Sequence, residues 1–321
     1  MIESVLFLVI AFVSALLITR FIYPRLKSVG MVGKDINKPE RPEVAEMGGF
    51  GIIGGVTAGI LAAIFFNTFM GLQFNLVFVL AALITIHSIA FIGAVDDLVD
   101  MPQAIKAFLP LFAAIPLVVV KAAGSTTLAI PFLGVIDFGI IYVIALIPLG
   151  IAVASNLTNM LAGFNGMEAG MGVVIFLTTS VLALAYGKTE MLVISLSMLG
   201  ALLGFLAFNI YPAKAFPGDV GNLTIGAALA AAVIIGNFES AGAILMVPYA
   251  VDFFIKALNR FPSRGWSGIY KDGKLYAPEK KVGFAQYVMK FAGGISERRL
   301  ALAFICIEAL FGALVIALFF R

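Results

Sequence analysis

The chain has 321 residues, of which 62% are hydrophobic and only 12% charged. Soluble domains carry roughly 25% charged residues, so this composition excludes a soluble globular protein and points to a polytopic membrane protein built from spans of about 20 apolar residues. A net charge of +3 without a basic, aromatic-interleaved patch argues against a nucleic-acid partner, and the single cysteine, Cys306, excludes a disulfide framework and a cysteine zinc site.

Apolar runs predict an all-α polytopic membrane protein of about ten transmembrane helices, forming one integral membrane domain over 1–321. The spans fall near 3–23, 47–66, 75–95, 104–121, 138–155, 168–186, 191–209, 221–237, 240–258 and 299–320. The first reads as a retained span. Glu3 stands where a signal peptide needs basic residues, while Arg20, Arg25 and Lys27 follow the apolar run. Segment 125–137, "STTLAIPFLGVID", is short, β-branched and interrupted by Pro131 and Gly134, which predicts a small β-hairpin on one membrane face.

Ten spans put both termini on one side. Every Lys and Arg except Lys121, Lys188 and Arg321 lies in or beside the loops after odd-numbered helices. The positive-inside rule discounts part of the long 259–298 loop, but the bias survives. It predicts cytoplasmic basic loops, extracytoplasmic termini and an extracytoplasmic hairpin.

The same loops hold nearly every unusual polar residue. The first reads "GKDINKPERPEVAEMGG" and includes Glu46. The second is "FIGAVDDLVDMPQAIK", where Asp96, Asp97 and Asp100 share a helix rim and Lys106 follows. Like charges at that spacing repel unless a cation sits among them, so the alternatives are a solvated helix end or a site for Mg²⁺ or for a group whose proton is managed. The third loop, "SNLTNMLAGFNGMEAGMG", puts Asn156 and Asn159 one turn apart and then unwinds through Gly163, Asn165, Gly166 and Gly170. Asparagine offers a neutral oxygen to a hard cation or paired groups to a nucleobase, and glycines let the backbone approach a ligand. More such residues stand here than an interhelix turn needs.

In the fourth loop, "YPAKAFPGDVGN", Asp219 opens a helix behind Phe216, Pro217 and Gly218; it reads equally as a helix cap and as a ligand, and Phe216 can stack on a planar ring. The fifth loop alternates aromatic and basic residues (Arg260, Arg264, Trp266, Tyr270, Lys271) in a pattern that suits phosphate and sugar, with Arg264 the chosen contact. His87 reads as a satisfied interhelical contact. Asp252 and Glu308 stay open between packing and function.

Together these loops resemble the polyprenyl-phosphate N-acetylhexosamine-1-phosphate transferase superfamily over most of the chain. "DDLVD" is similar to its aspartate-rich motif, "NLTNMLAGFNGMEAG" to the N-x-x-N-x-x-A-G-x-N-G-x-E-A-G string of its archaeal and eukaryotic branch, and "YPAKAFPGD" to its Y-P-x-x-x-F-x-G-D motif. The nearest branch is the dolichyl-phosphate N-acetylglucosamine-1-phosphotransferases. The fifth loop lacks the His-rich motif of the bacterial branch, and only Arg264 matches the Arg-His-Arg cluster of the eukaryotic one.

The resemblance implies transfer of N-acetylhexosamine-1-phosphate, GlcNAc-1-phosphate above all, from its UDP-sugar to a polyprenyl (dolichyl-type) phosphate. UMP is released, in the first membrane step of lipid-linked glycan synthesis. It implies Mg²⁺ on Asp219 and Asn159, with Mn²⁺ as a substitute, and diphosphate contacts from Lys106 and Arg264. Asn165, Phe216 and Glu46 would hold uridine, Asp96 and Asp97 would lie near the acceptor phosphate as base or positioning groups, and Asn156 would order its loop. Homodimers occur in the family. The alternatives are a bacterial-type transferase using undecaprenyl phosphate and, in another class, a secondary transporter. The latter predicts midplane carboxylates and internal repeats; here no repeat is evident and the polar residues gather on one face.

Overall fold

The computed structural model describes residues 2–122, 125–130, 133–262 and 265–320. Its helices, in chain order, are α1 (Ile2–Ser28), α2 (Gly49–Met70), α3 (Leu76–Val99), α4 (Gln103–Ala113), α5 (Ile115–Lys121), α6 (Ile147–Met160), α7 (Met167–Ala185), α8 (Thr189–Asn209), α9 (Gly218–Gly236), α10 (Glu239–Leu245), α11 (Val247–Leu258), α12 (Phe284–Phe291) and α13 (Glu297–Phe319). A π-helical turn over Tyr142–Leu146 leads into α6. Among the described residues nine helical segments are long and apolar enough to span a membrane, and α10 with α11, bent by 59°, makes a tenth. The expected ten spans are therefore present, with two breaks. The span expected near 104–121 divides at Ala114, between Pro110 inside α4 and Pro116 opening α5, and the one near 240–258 divides before Pro248. Proline lacks the N–H that would continue the helical ladder.

The centre of the bundle is α9, a run of Gly, Ala and aliphatic residues that is buried almost throughout. Lipid offers no hydrophobic drive for helix association, so close packing of small residues carries it. A Cβ on Gly226 of α9 would lie 2.2 Å from the Ala154 carbonyl oxygen of α6, and one on Gly93 of α3 would lie 2.6 Å from the Asp219 carbonyl oxygen. Backbones touch at both places. Large apolar side chains such as Phe21, Phe69, Phe91 and Phe112 remain exposed on the outside, where lipid would meet them.

Three antiparallel hairpins complete the fold: β1 (Val32–Lys34) with β2 (Glu43–Ala45), β3 (Thr127–Ile130) with β4 (Gly134–Asp137), and β5 (Ile269–Lys271) with β6 (Lys274–Tyr276). The second is the hairpin expected over 125–137, although its Pro131 lies outside the described residues. Ser240 Oγ donates to the Ala129 carbonyl and ties it to α10. The first and third lie at the opposite end of the bundle, among the polar loops.

His87 meets its expectation: one ring nitrogen lies 3.0 Å from Thr57 Oγ1 and the other 2.8 Å from the Leu83 carbonyl. Asp252 pairs with Lys256 at 2.8 Å and accepts the Phe284 N–H at 2.7 Å, which fixes α12 on α11. Glu308 is fully buried on α13, and neither carboxyl oxygen has a hydrogen-bond partner among the described residues.

Candidate active site

The aspartate motif lies inside α3. Helix continues to Val99, so Asp96 and Asp97 occupy the last turn, and Asp100 is its exposed, left-handed C-cap with φ 50°. Asp96 turns one carboxylate oxygen to the Met101 N–H at 2.8 Å, holding the reversal into α4, and pairs the other with the Lys106 ammonium. Lys106 also pairs with Asp219. One largely buried cation thus bridges carboxylates from two helices that approach from opposite parts of the sequence.

Asp97 meets the backbone of the same helix end. Its Oδ1 accepts the backbone N–H of Asp219 at 2.8 Å and its Oδ2 that of Val220 at 3.1 Å. These are N–H groups of the first turn of α9, which have no partner inside their own helix. The local cap position is Pro217, and it makes no side-chain capping bond. Asp219 is therefore not the helix cap that the sequence offers as one reading. Asp97 is the cap, reaching across from α3, and its negative charge suits a helix N-terminus. The fit is tight: a Cβ on Gly218, whose φ is +65°, would stand 2.6 Å from Asp97 Oδ2.

One turn further along α9, Asn222 donates to Asn159 Oδ1 at 3.2 Å, while its own Oδ1 is buried and has no hydrogen-bond partner among the described residues. An orphaned acceptor beside an asparagine oxygen and one turn from a carboxylate is a hard, oxygen-only donor set suited to Mg²⁺. Among the described residues no three Asp, Glu, His or Cys side chains converge as a metal cluster, and the Lys106 ammonium stands between Asp96 and Asp219. A cation here would rely on Asp219, the amide oxygens and oxygens of a ligand, which is the usual way Mg²⁺ is held beside phosphates. Asn222 is a candidate ligand that sequence reasoning missed, although its i,i+3 spacing from Asp219 was a signal for it.

The strand β2 fixes the loop before α9. Phe216 donates its N–H to the Ala45 carbonyl and accepts that of Gly48, both at 2.8 Å, so Phe216 and Glu46 flank one backbone seam. Burial, and then the charge of Asp97, pushes the Glu46 carboxyl above its ordinary value of 4.5. A raised pKa means that the folded state holds the proton more tightly, so stability falls as pH rises from 4.5 through the raised value. Glu46→Gln escapes that loss. It should unfold at a higher temperature than wild type near neutral pH and lose the advantage below about pH 4, as thermal melts in detergent at the two pH values would show.

Asn165 lies in a second buried network. Its amide donates to Asp35 at 3.1 Å and accepts from Lys38 at 3.0 Å and from the Ala213 N–H at 2.8 Å, and its backbone N–H donates to Glu297 at 2.9 Å. Lys38 also pairs with Asp35 and, at 3.1 Å, with Glu297. The network joins the first, third and fourth loops to α13, and Asp35, Lys38 and Glu297 are functional candidates that the sequence left unmarked. Asn156 bonds to the Ala152 carbonyl of its own helix at 2.8 Å, which stiffens the end of α6. Arg264 lies outside the described residues. Asp96, Asp97, Lys106 and Asp219 are thus in direct contact, Asn159 of α6 is bonded to Asn222 one turn along α9 from Asp219, Glu46 and Phe216 adjoin them beside β2, and Asn165 sits on the flank.

The glycosyl transferase family 4 model matches residues 78–237, a stretch that runs from the first turn of α3 through α9 and holds every residue of the Asp–Lys–Asp bridge. A Saccharolobus solfataricus protein named UDP-N-acetylglucosamine–dolichyl-phosphate N-acetylglucosaminephosphotransferase is 37% identical over 97% of this chain and 95% of its own length. A Sulfolobus acidocaldarius protein of the same name is 35% identical over 96% and 94%. A Bacillus subtilis protein named undecaprenyl-phosphate N-acetylglucosaminyl 1-phosphate transferase is 30% identical over 74% of this chain and 65% of its own length.

Proposed function

This chain belongs to glycosyl transferase family 4, and from that premise we propose that it transfers N-acetylglucosamine-1-phosphate from its UDP-sugar to a dolichyl-type polyprenyl phosphate, releasing UMP. The observation that carries the reading is the Lys106 ammonium held between Asp96 and Asp219 at the N-terminus of α9. That arrangement suits phosphoryl transfer, which needs in-line positioning and neutralisation of charge spread over the phosphate oxygens. Lys106 donates toward the diphosphate, and Asp96 keeps the ammonium on the axis between α3 and α9. Asp97 uses both oxygens as a cap and so fixes where Asp219 stands. Asp219 and Asn159, with the orphaned Asn222 oxygen, would hold Mg²⁺, or Mn²⁺ in its place, and the ion would supply further neutralisation of the diphosphate.

The acceptor needs little help with its proton. A phosphate monoester has a second pKa near 6, so roughly 90% is dianionic at pH 7. The attacking oxygen is then already charged, and a carboxylate committed to two N–H bonds need not take a proton. Glu46 and Phe216 suit the ribose and the uracil ring, the first by accepting hydroxyl protons and the second by stacking. The lipid tail stays in the bilayer while its phosphate reaches the loop end of the helices. We read that end as cytoplasmic and the termini as extracytoplasmic, from the distribution of Lys and Arg.

The test is transfer from radiolabelled UDP-N-acetylglucosamine to defined dolichyl and undecaprenyl phosphates. The assay is run with Mg²⁺, with EDTA, and with tunicamycin. Dolichyl-dependent product that EDTA abolishes and Mg²⁺ restores is expected. Because one phosphoanhydride replaces another, added UMP should also drive loss of the lipid product. A preference for undecaprenyl phosphate would favour the bacterial-type reading, supported by the Bacillus subtilis relative. No transfer to either lipid would sink the assignment.

A further inference from the structure

Trp266 is the single tryptophan of the chain, and its indole lies on Gly163 of the third loop. A Cβ on Gly163 would stand 2.3 and 2.4 Å from two carbons of the ring. The glycine is at φ +127°, a conformation that side-chain-bearing residues rarely adopt. The neighbouring Phe164 meets the indole edge-on, with ring centroids 5.8 Å apart. Gly163 is held on its other sides too. Its N–H donates to the buried Glu168 carboxylate, and its carbonyl accepts the Asn37 amide at 3.0 Å. Two residues on stands Asn165, fixed by Asp35, Lys38, Glu297 and the Ala213 N–H.

What holds the indole there is a fully buried glutamine. Gln286 of α12 donates one amide hydrogen to the Gly265 carbonyl at 2.6 Å and the other to the Ser267 carbonyl at 2.9 Å, while its oxygen accepts the Val282 N–H at 2.7 Å. Carbonyls only accept, so the orientation of this amide is determined by its partners. A buried side chain gives both its donors to the carbonyls of the two residues on either side of Trp266. Such an arrangement fixes the backbone on both sides of one aromatic residue.

We propose that Trp266, seated by Gln286, is a positioning residue of the UDP-sugar site: it clamps Gly163 and so holds Asn165 and the loop carrying Phe216 and Asp219 in register for the nucleotide. The inference rests on the transferase reading above. Without the indole, the most permissive residue of the segment is no longer confined at its Cα, and the ordering of the loop must then be completed at the expense of substrate binding.

The protein supplies its own reporter. Adding UDP to the wild-type protein in detergent should change the tryptophan emission saturably. Trp266→Ala should raise KM for UDP-N-acetylglucosamine roughly tenfold while kcat moves by less than about threefold, because a loop left disordered in the free enzyme is ordered again when substrate binds. Trp266→Phe should recover most of the loss, and Gln286→Met should repeat it without removing the ring. The proposal is overturned if emission stays constant at UDP concentrations that saturate turnover, or if Trp266→Ala and Gln286→Met leave KM unchanged. A wild-type protein that transfers no sugar phosphate would instead remove the transferase reading, and this inference with it.

Discussion

Asp97→Asn should lower turnover by about a hundredfold, because displacing a reacting group by around 1 Å can cost that much. The asparagine keeps one acceptor but turns an NH₂ toward one of the two N–H groups, of Asp219 and Val220, that the carboxylate receives. One N–H of the first turn of α9 loses its partner and meets another donor. The charge that complemented the helix N-terminus is also gone. Loss of a cap costs about 0.5–2 kcal/mol, and the effect lands on the residue that carries Asp219. The diagnostic is the pH profile. If Asp97 is a cap, the ratio of variant to wild-type turnover stays flat from about pH 6 to about pH 9, since neither group titrates as a base in the reaction. Tenfold or greater recovery toward high pH would instead give Asp97 a proton-managing role.

Two companion variants sharpen the reading. Asp97→Glu keeps the charge but adds a methylene where Gly218 already leaves no room, so it should not rescue turnover. Gly218→Ala should reproduce the Asp97→Asn defect from the other side of the contact. Its Cβ would meet Asp97 Oδ2 at 2.6 Å, and its φ of +65° disfavours any side chain. The pH profile again separates the roles: a displaced cap leaves the defect flat with pH, whereas a displaced general base would let turnover recover toward high pH.

The parts of the molecule differ in how much their residues announce. Spans are legible because the bilayer demands long apolar runs, and the end of α3 is mislocated by only a few residues because aspartates look like a place to stop. The helix runs on because Asp96 and Asp97 have partners to satisfy them, Met101 and Lys106 for one and α9 for the other. Hairpin β5–β6 carries a readable signal that goes unread, the Asp272–Gly273 pair, with φ 49° and 76°. An Asp-Gly pair between short extended runs is a strong hairpin marker. Helix α12 has no such marker at its start: it is short and follows a plain Gly283 that makes no side-chain capping bond.

The site is legible as a set of residues and illegible as a division of labour. Local spacing places Asp96 and Asp97 on one rim of a helix, yet one holds a side-chain cation and the other caps the backbone of α9. The bond from Asp219 to Asp97 spans 122 residues, and that from Lys38 to Glu297 spans 259. A single sequence carries no record of such pairs. Asn165 illustrates the consequence. Its residue type fits a nucleobase, but its amide is already bonded to Asp35, Lys38 and Ala213. In the proposed reading it therefore acts on the nucleotide site through the loops it joins.

Lys106→Met is the second decisive variant, and its effects separate folding from chemistry. The substitution removes the ammonium but leaves Asp96 and Asp219 facing each other across the seam between α3 and α9. Removing one partner of a buried ion pair destabilises by roughly 3–5 kcal/mol because the remaining charge is uncompensated. Here two charges remain, both largely buried, so the thermal midpoint should fall clearly. Adding Asp96→Asn to Lys106→Met deletes one of the opposed charges and should recover much of the lost stability. It should not recover turnover, since withdrawing a preorganised charge from a transition state costs about a hundred- to a thousandfold in kcat. A double variant that regains both would reduce Lys106 to a structural counter-charge. Lys106→Met retaining turnover within tenfold of wild type would count against the whole phosphate-facing assignment. The expected pattern, stability restored and catalysis still absent, follows from placing one cation where the carboxylates need it at rest and the diphosphate needs it during transfer.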